Sequence, residues 1–262
     1  MKRKHLVYTL TLLLSLLFVQ LPQPTLTADK FTRDHGGIIR GSLTSKKIAL
    51  IFTGGDFADG GEHIRKVLAK HKIKASFFFT GDFYRHPEFA SIIKRLIKDG
   101  HYVGPHSDKH LLYCPWENQE KTLVTKQEFM DDLNANYEVM KKFGIKKSKA
   151  RYFIPPFEWF NNDISGWAKE MGVTLFDFTP GTLSNADYTT PDLKKYVSSD
   201  RVYKSILDYE KKDPHGLNGF LLLIHIGTAP ARTDKFYLRL DDLIKDLSAK
   251  GYSFERVDQL LR

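Results

Sequence analysis

From residue 48 onward the chain alternates short apolar runs with stretches of helical spacing, and that alternation leaves few folds open. The apolar runs are "IALIF" (48–52), "KASFFFTG", "HYVGP", "ARYFIPP", "VTLFDFTPG", "GFLLLIHIG" and "YSFERV". Between them lie amphipathic segments such as "GEHIRKVLAKH", with Ile64, Val67 and Leu68 on one face, and "TKQEFMDDLNANYEVMKKFG", which Thr125 and Glu128 open as a capping box. A strand that is apolar throughout is buried on both faces. Such strands separated by helices make a parallel sheet covered by helices. About seven such units close into a barrel with its chemistry at the C-terminal strand ends. A doubly wound open sheet satisfies the same periodicity.

The chain has 262 residues, 42% of them hydrophobic, enough for one substantial core. Its formal charge is +9, but the lysines are spread over several helix faces. A nucleic-acid surface would gather them on one face among aromatics, so no nucleic-acid partner is expected. The N-terminus reads as an export signal, residues 1–28. "MKRKH" is a basic start, "LVYTLTLLLSLLFV" an apolar centre too short to span a bilayer, and "QLPQPTLTA" a breaker ending in small residues. The remaining 29–262 is expected to form one catalytic domain, exported to the periplasm or cell exterior, with no membrane span left after cleavage. The lone cysteine, Cys114, rules out an intramolecular disulfide and reads as a buried structural thiol.

Polar residues gather just past the strands. "TGGDFADGG" follows the first, Thr80, Gly81 and Asp82 the second, "HSDKH" the third, "PPFEWFNND" the fourth and "HIGTAP" the sixth. His106 and His110, four apart, can bind one metal from a helical turn, with Asp56 completing the set and water or substrate filling the open positions. Two ordinary loop histidines would show the same spacing. His225 closes an otherwise apolar strand, which suits a general acid or base facing a cleft, or equally a core histidine bonded to a carbonyl.

These residues resemble a known family. "HSDKH" looks like the His-(Ser/Thr)-x-x-His motif of polysaccharide deacetylases, the NodB-homology or carbohydrate esterase family 4 domain. "IALIFTGGD" with "KASFFFTG" resembles its first motif and the strand after it, "FIPPF" its Arg-Pro-Pro-Tyr motif, and "LLLIH" its Leu-x-His motif, in order along residues 48–257. The resemblance implies a distorted seven-stranded (β/α) barrel and a divalent metal ion, zinc foremost. It also implies hydrolysis of N- or O-linked acetyl groups on an acetylated glycan. By position, His106 and His110 become metal ligands and His225 the general acid.

Two departures stand out. The family's first motif, Thr-Phe-Asp-Asp-Gly, falls without a gap on Ile51, Phe52, Thr53, Gly54 and Gly55, so both carboxylates are missing, and Asp56 must reach the metal from two residues further on. Ile154 stands where the motif has an arginine that orients the base. Either the base has moved or activity is gone. Glu158 is the expected moved base, with Asp59 and Asp177 behind it. Pro155, Phe157 and Trp159 are expected to contact substrate, and Tyr113 and Trp116 to join them at the rim. Two rivals remain open: a degenerate carbohydrate-binding protein on the same fold, and a metal-dependent hydrolase of C–N bonds in a non-sugar substrate.

Overall fold

The computed structural model describes residues 30–262; the expected signal segment, 1–28, lies outside the described residues. The elements run β1 (Thr32–Asp34), β2 (Gly37–Arg40), β3 (Lys47–Gly54), α1 (Gly61–Lys70), β4 (Ser76–Phe79), α2 (Gly81–Arg85), α3 (Ala90–Lys98), β5 (Tyr102–Pro105), α4 (Lys126–Lys141), β6 (Tyr152–Phe153), α5 (Asn162–Glu170), β7 (Thr174–Leu175), α6 (Ser199–Lys212), β8 (Phe220–His225), α7 (Leu240–Ala249), β9 (Ser253–Phe254) and α8 (Val257–Leu260). All seven apolar runs form parallel strands, and the helices fall where the helical spacing places them. Thr125 and Glu128 make the capping box at the start of α4.

The parallel order is β5-β4-β3-β8, with β9 on the start of β3, and β6 paired to β7. Tyr152 N–H on β6 donates to Tyr102 Oη on β5 and carries the sheet on. The gap between β7 and β8 is filled by a segment the sequence reading missed. The β1–β2 hairpin lies there, with Ile38 bridged to Phe176 and the Asp177 N–H bonded to the Ile38 carbonyl. The Thr179 N–H then reaches Leu221 O on β8. The result is the distorted (β/α)7 barrel.

Side-chain parity divides the core. Ile48, Leu50 and Phe52 face the helix layer, while Ala49 and Ile51 face the barrel interior with Phe78, Leu221, Leu223, Tyr102, Ile154 and Phe176. Val257, Leu260 and Leu261 of the C-terminal turn plug the interior from the strands' N-terminal end. Because successive strand residues alternate faces, Thr53 and His225 continue the inward rows, and they are opposite one another in the β3–β8 register. The mouth of the barrel is therefore lined from inside by whatever stands at those positions.

Candidate active site

A cavity of about 650 Å³ opens at the C-terminal strand ends. It is lined by Thr53, Gly55, Asp56, His106, His110, Trp116, Phe157, Glu158, Tyr188 and His225, among others. Of the residues expected from sequence, Asp56, His106, His110, Phe157, Glu158 and His225 share this wall. Pro155 is buried and does not line the cavity, and Trp159 reaches it only by stacking on Trp116 at 6.0 Å. Tyr113, expected at the rim, is fully buried against Phe129. Cys114 is buried as expected, and burial pushes its thiol up to about 11.

The two imidazoles come from a turn, not the helical one the spacing suggested. Ser107 and His110 adopt positive φ, 71° and 54°, a region disfavoured for side chains with a Cβ. The turn persists because Asp132 on α4 holds it. The buried Asp132 carboxylate accepts from Ser107 Oγ at 2.6 Å, Asp108 N at 2.9 Å and Lys109 N at 2.8 Å. Ser107 Oγ in turn accepts from the His110 N–H at 3.0 Å. Asp132→Ala would leave three donors without their acceptor, two of them buried. We expect a loss of roughly 2–4 kcal/mol of unfolding free energy in urea titrations.

His106 is aligned from both ends. Its backbone N–H donates to Asn136 Oδ1 at 3.0 Å. Its Nδ1 lies 2.9 Å from the Ile154 carbonyl, which can only accept, so Nδ1 carries the proton and Nε2 keeps its lone pair. Ile154 thus orients the histidine through its backbone, whatever its side chain. Burial, with His110 beside it, holds His106 well below the usual histidine range. Burial also lowers His110 to about 4, against the opposing pull of Asp56. Both rings are neutral near pH 7, with centroids 5.0 Å apart. This is the donor state a divalent ion requires. The third donor does not join them. Asp56 is exposed on its loop, and among the described residues no group of three or more His, Cys, Asp or Glu side chains is arranged to hold a metal ion.

The strand end where the first motif falls is crowded on one side. A Cβ at Gly54 would lie 2.7 Å from Ile226 Cγ2 and 2.9 Å from Phe83 Cε2, facing the helix layer rather than the cavity. At Gly55 the nearest atom to a Cβ is Thr80 Cγ2, at 3.8 Å, so that side is open. The loop that follows is clamped by Asp59, which accepts from Thr228 N at 2.8 Å and Tyr237 Oη at 2.7 Å and pairs with Lys235 at 2.9 Å. These contacts hold Asp59 below the usual carboxylate range despite partial burial, and they occupy it as a structural anchor.

His225 has a partner the sequence reading missed. Asp187, 1% exposed, places Oδ1 2.6 Å from His225 Nδ1 and accepts the His225 backbone N–H on Oδ2 at 3.0 Å. Burial disfavours the imidazolium, but Asp187 and then Glu158 outweigh it, and His225 lies above the usual histidine range. Asp187 stands in "SNADY", with no strand or repeat spacing to mark it.

Glu158 completes the cluster. Phe157 and Glu158 have φ of 59° and 53°, two left-handed residues in a row without glycine, a strain of roughly 1–2 kcal/mol each that tends to be kept at functional sites. The turn aims Glu158 into the cavity, where burial raises its carboxyl to about 7, with His225 pulling down and Asp187 pushing up. Asp177, the other candidate, is buried and held well above the usual range by burial and then by Glu158; its carboxylate accepts from Phe178 N at 2.7 Å and does not line the cavity. Aromatic rings flank the mouth: Phe157 lies 4.3 Å from the His110 ring and 5.6 Å from Trp116, and Tyr188 lies 5.2 Å from His225.

Comparison with known proteins agrees with this architecture. A curated relative, the peptidoglycan-N-acetylmuramic acid deacetylase PdaA of Bacillus subtilis, is 27% identical over 223 residues, covering 84% of this chain and 73% of that protein. Among solved structures, a family 4 carbohydrate esterase from Bacillus anthracis superposes with a TM-score of 0.62 at 26% identity, over 86% of this chain and 87% of that one. A CE4 family pseudoenzyme from the same organism superposes with a TM-score of 0.68 at 21% identity, over 88% and 70%. The polysaccharide deacetylase family model matches residues 40–176, more than half of the chain, and the chain belongs to the polysaccharide deacetylase family.

Proposed function

We propose that the chain is an exported deacetylase that hydrolyses N- or O-linked acetyl groups on an acetylated glycan of the peptidoglycan kind. The observation that carries this reading is the meeting of Glu158 with the Asp187–His225 pair at one cavity wall, opposite two neutral imidazoles. Export rests on the N-terminal pattern and on the peptidoglycan-acting relative. No helix among the described residues is long and apolar enough to cross a membrane.

The chemistry follows from protonation. Near pH 7 a share of Glu158 is ionised, and it takes a proton from the water that attacks the acetyl carbonyl carbon. His225, kept protonated by Asp187, gives its Nε2 proton to the leaving nitrogen or oxygen. The Asp187 carboxylate fixes the ring through Nδ1 and stabilises the cation, but does not itself take the proton. Trp116, Phe157 and Tyr188 offer flat faces on which sugar rings stack. A divalent ion, zinc foremost, would be held by His106 and His110, with Asp56 on the same cavity wall as the remaining carboxylate; bound, it would acidify water and polarise the acetyl oxygen.

Acetate release from peptidoglycan, chito-oligomers and acetylated xylan, with added zinc or cobalt, tests the reading. Release that falls on chelation and is lost in His106→Ala is expected. Glycan retained with no acetate freed, and unaffected by chelator, would instead make the protein a sugar-binding member of the family. The missing carboxylates at Thr53 and Gly54 favour that second reading.

A further inference from the structure

Among the described residues Arg232 is the one cation with no exposed surface. A buried guanidinium is costly unless its donors are met, yet no carboxylate bonds it; Asp234 Oδ2 stands 4.0 Å away. Its partners all come from one segment, 189–199. Nη1 donates to Thr189 O at 2.5 Å and Val197 O at 3.0 Å, and Nη2 to Ser199 Oγ at 3.2 Å. The Tyr196 ring lies 5.4 Å from the guanidinium carbon, and Nε has no partner among the described residues.

Thr189 is the junction. Its hydroxyl donates to Ala186 O at 2.8 Å and accepts from Val197 N at 3.0 Å, while its own N–H bonds the same Ala186 carbonyl at 3.1 Å. Ala186 is the neighbour of Asp187, and both Asp187 oxygens are spent on His225. We propose that Arg232 is a positioning residue: locking Thr189 from the β8 side, it holds the 187–199 strap so that Asp187 aligns the His225 ring and Tyr188 stands beside it. Charge is not what it contributes to the histidine. The charged groups around His225 are Asp187, Glu158 and Arg232, with His106 and His110 across the cavity, and Arg232 alone of the first three opposes the imidazolium. The turnover arm of the test rests on the deacetylase reading; the spectroscopic arm does not.

The test compares Arg232→Met and Arg232→Lys with Arg40→Met. Arg40 is a second buried arginine, at the opposite end of β8, bonded to Gly216 O at 2.7 Å and Asn218 O at 2.9 Å. The proton shared by His225 and Asp187 gives a far-downfield NMR line, assigned by its loss in Asp187→Asn. Arg40→Met should keep the line. Arg232→Met should lose or broaden it and lower kcat by roughly 10- to 100-fold with little change in KM. Lysine keeps the charge but cannot span the same acceptors, so Arg232→Lys should also broaden the line; it serves as the deciding variant if Arg232→Met does not fold. An unchanged line in either folded Arg232 variant overturns the proposal. If wild type frees no acetate but the line still vanishes, the positioning role stands and the hydrolase reading falls.

Discussion

Asp187→Asn will lower acetate release by about a hundredfold or more while leaving the fold intact. One Asp187 oxygen accepts the His225 backbone N–H and the other faces Nδ1. An asparagine meets the first contact with its carbonyl and turns its NH₂ toward Nδ1. That nitrogen must then accept, so the imidazolium is no longer supported. His225 is held above the usual histidine value by Asp187 and Glu158 together, so the falling alkaline limb of the pH profile should also move to lower pH. Rates measured from pH 5 to 10 check both effects, and a variant with the wild-type rate and profile would remove the pair from the mechanism.

Glu158→Gln separates activity from stability. Loss of the base should cost on the order of a hundredfold in rate, and the rising limb near pH 7 should vanish with it. Stability should move the other way. The Glu158 carboxyl is raised from 4.5 to about 7 in the folded protein, so the folded state binds its proton more tightly than the unfolded chain. Its contribution to stability is full below pH 4.5 and is lost as pH rises through about 7. Glutamine does not ionise and escapes that loss. Above pH 8 the variant should be more stable, by on the order of 3 kcal/mol, measurable by urea melts at pH 5 and 8.5. Equal stability at both pH values would show that Glu158 is solvated and unfit as a base.

The barrel was legible because its signals are local. Continuous apolar strands and capped amphipathic helices at Ile64–Leu68 or Thr125–Glu128 need no distant partner to be read. The closing hairpin was not legible, since β1 is exposed and β2 is only four residues long. His106, His110 and Glu158 were found because each follows a strand, and His225 because it closes one. Their faces were not, because "IALIF" is apolar on both sides and hides which residues point inward. Asp187 and Arg232 act from the loops that follow β7 and β8, 38 residues and seven residues from His225 or in its own loop, where no periodicity marks them. Asp132 was concealed for the opposite reason: on an amphipathic helix, an acidic residue reads as solvated face until the turn it caps is seen.

The hairpin that fills the gap between β7 and β8 also sets an order on assembly. Ile38 must find Phe176, and Gly41 must find Gly219, partners made far later in synthesis. The first of the described strands is therefore among the last to be enclosed. Contacts between residues so far apart in sequence are slow to form, so closing the barrel between β7 and β8 is expected to be a late step of folding.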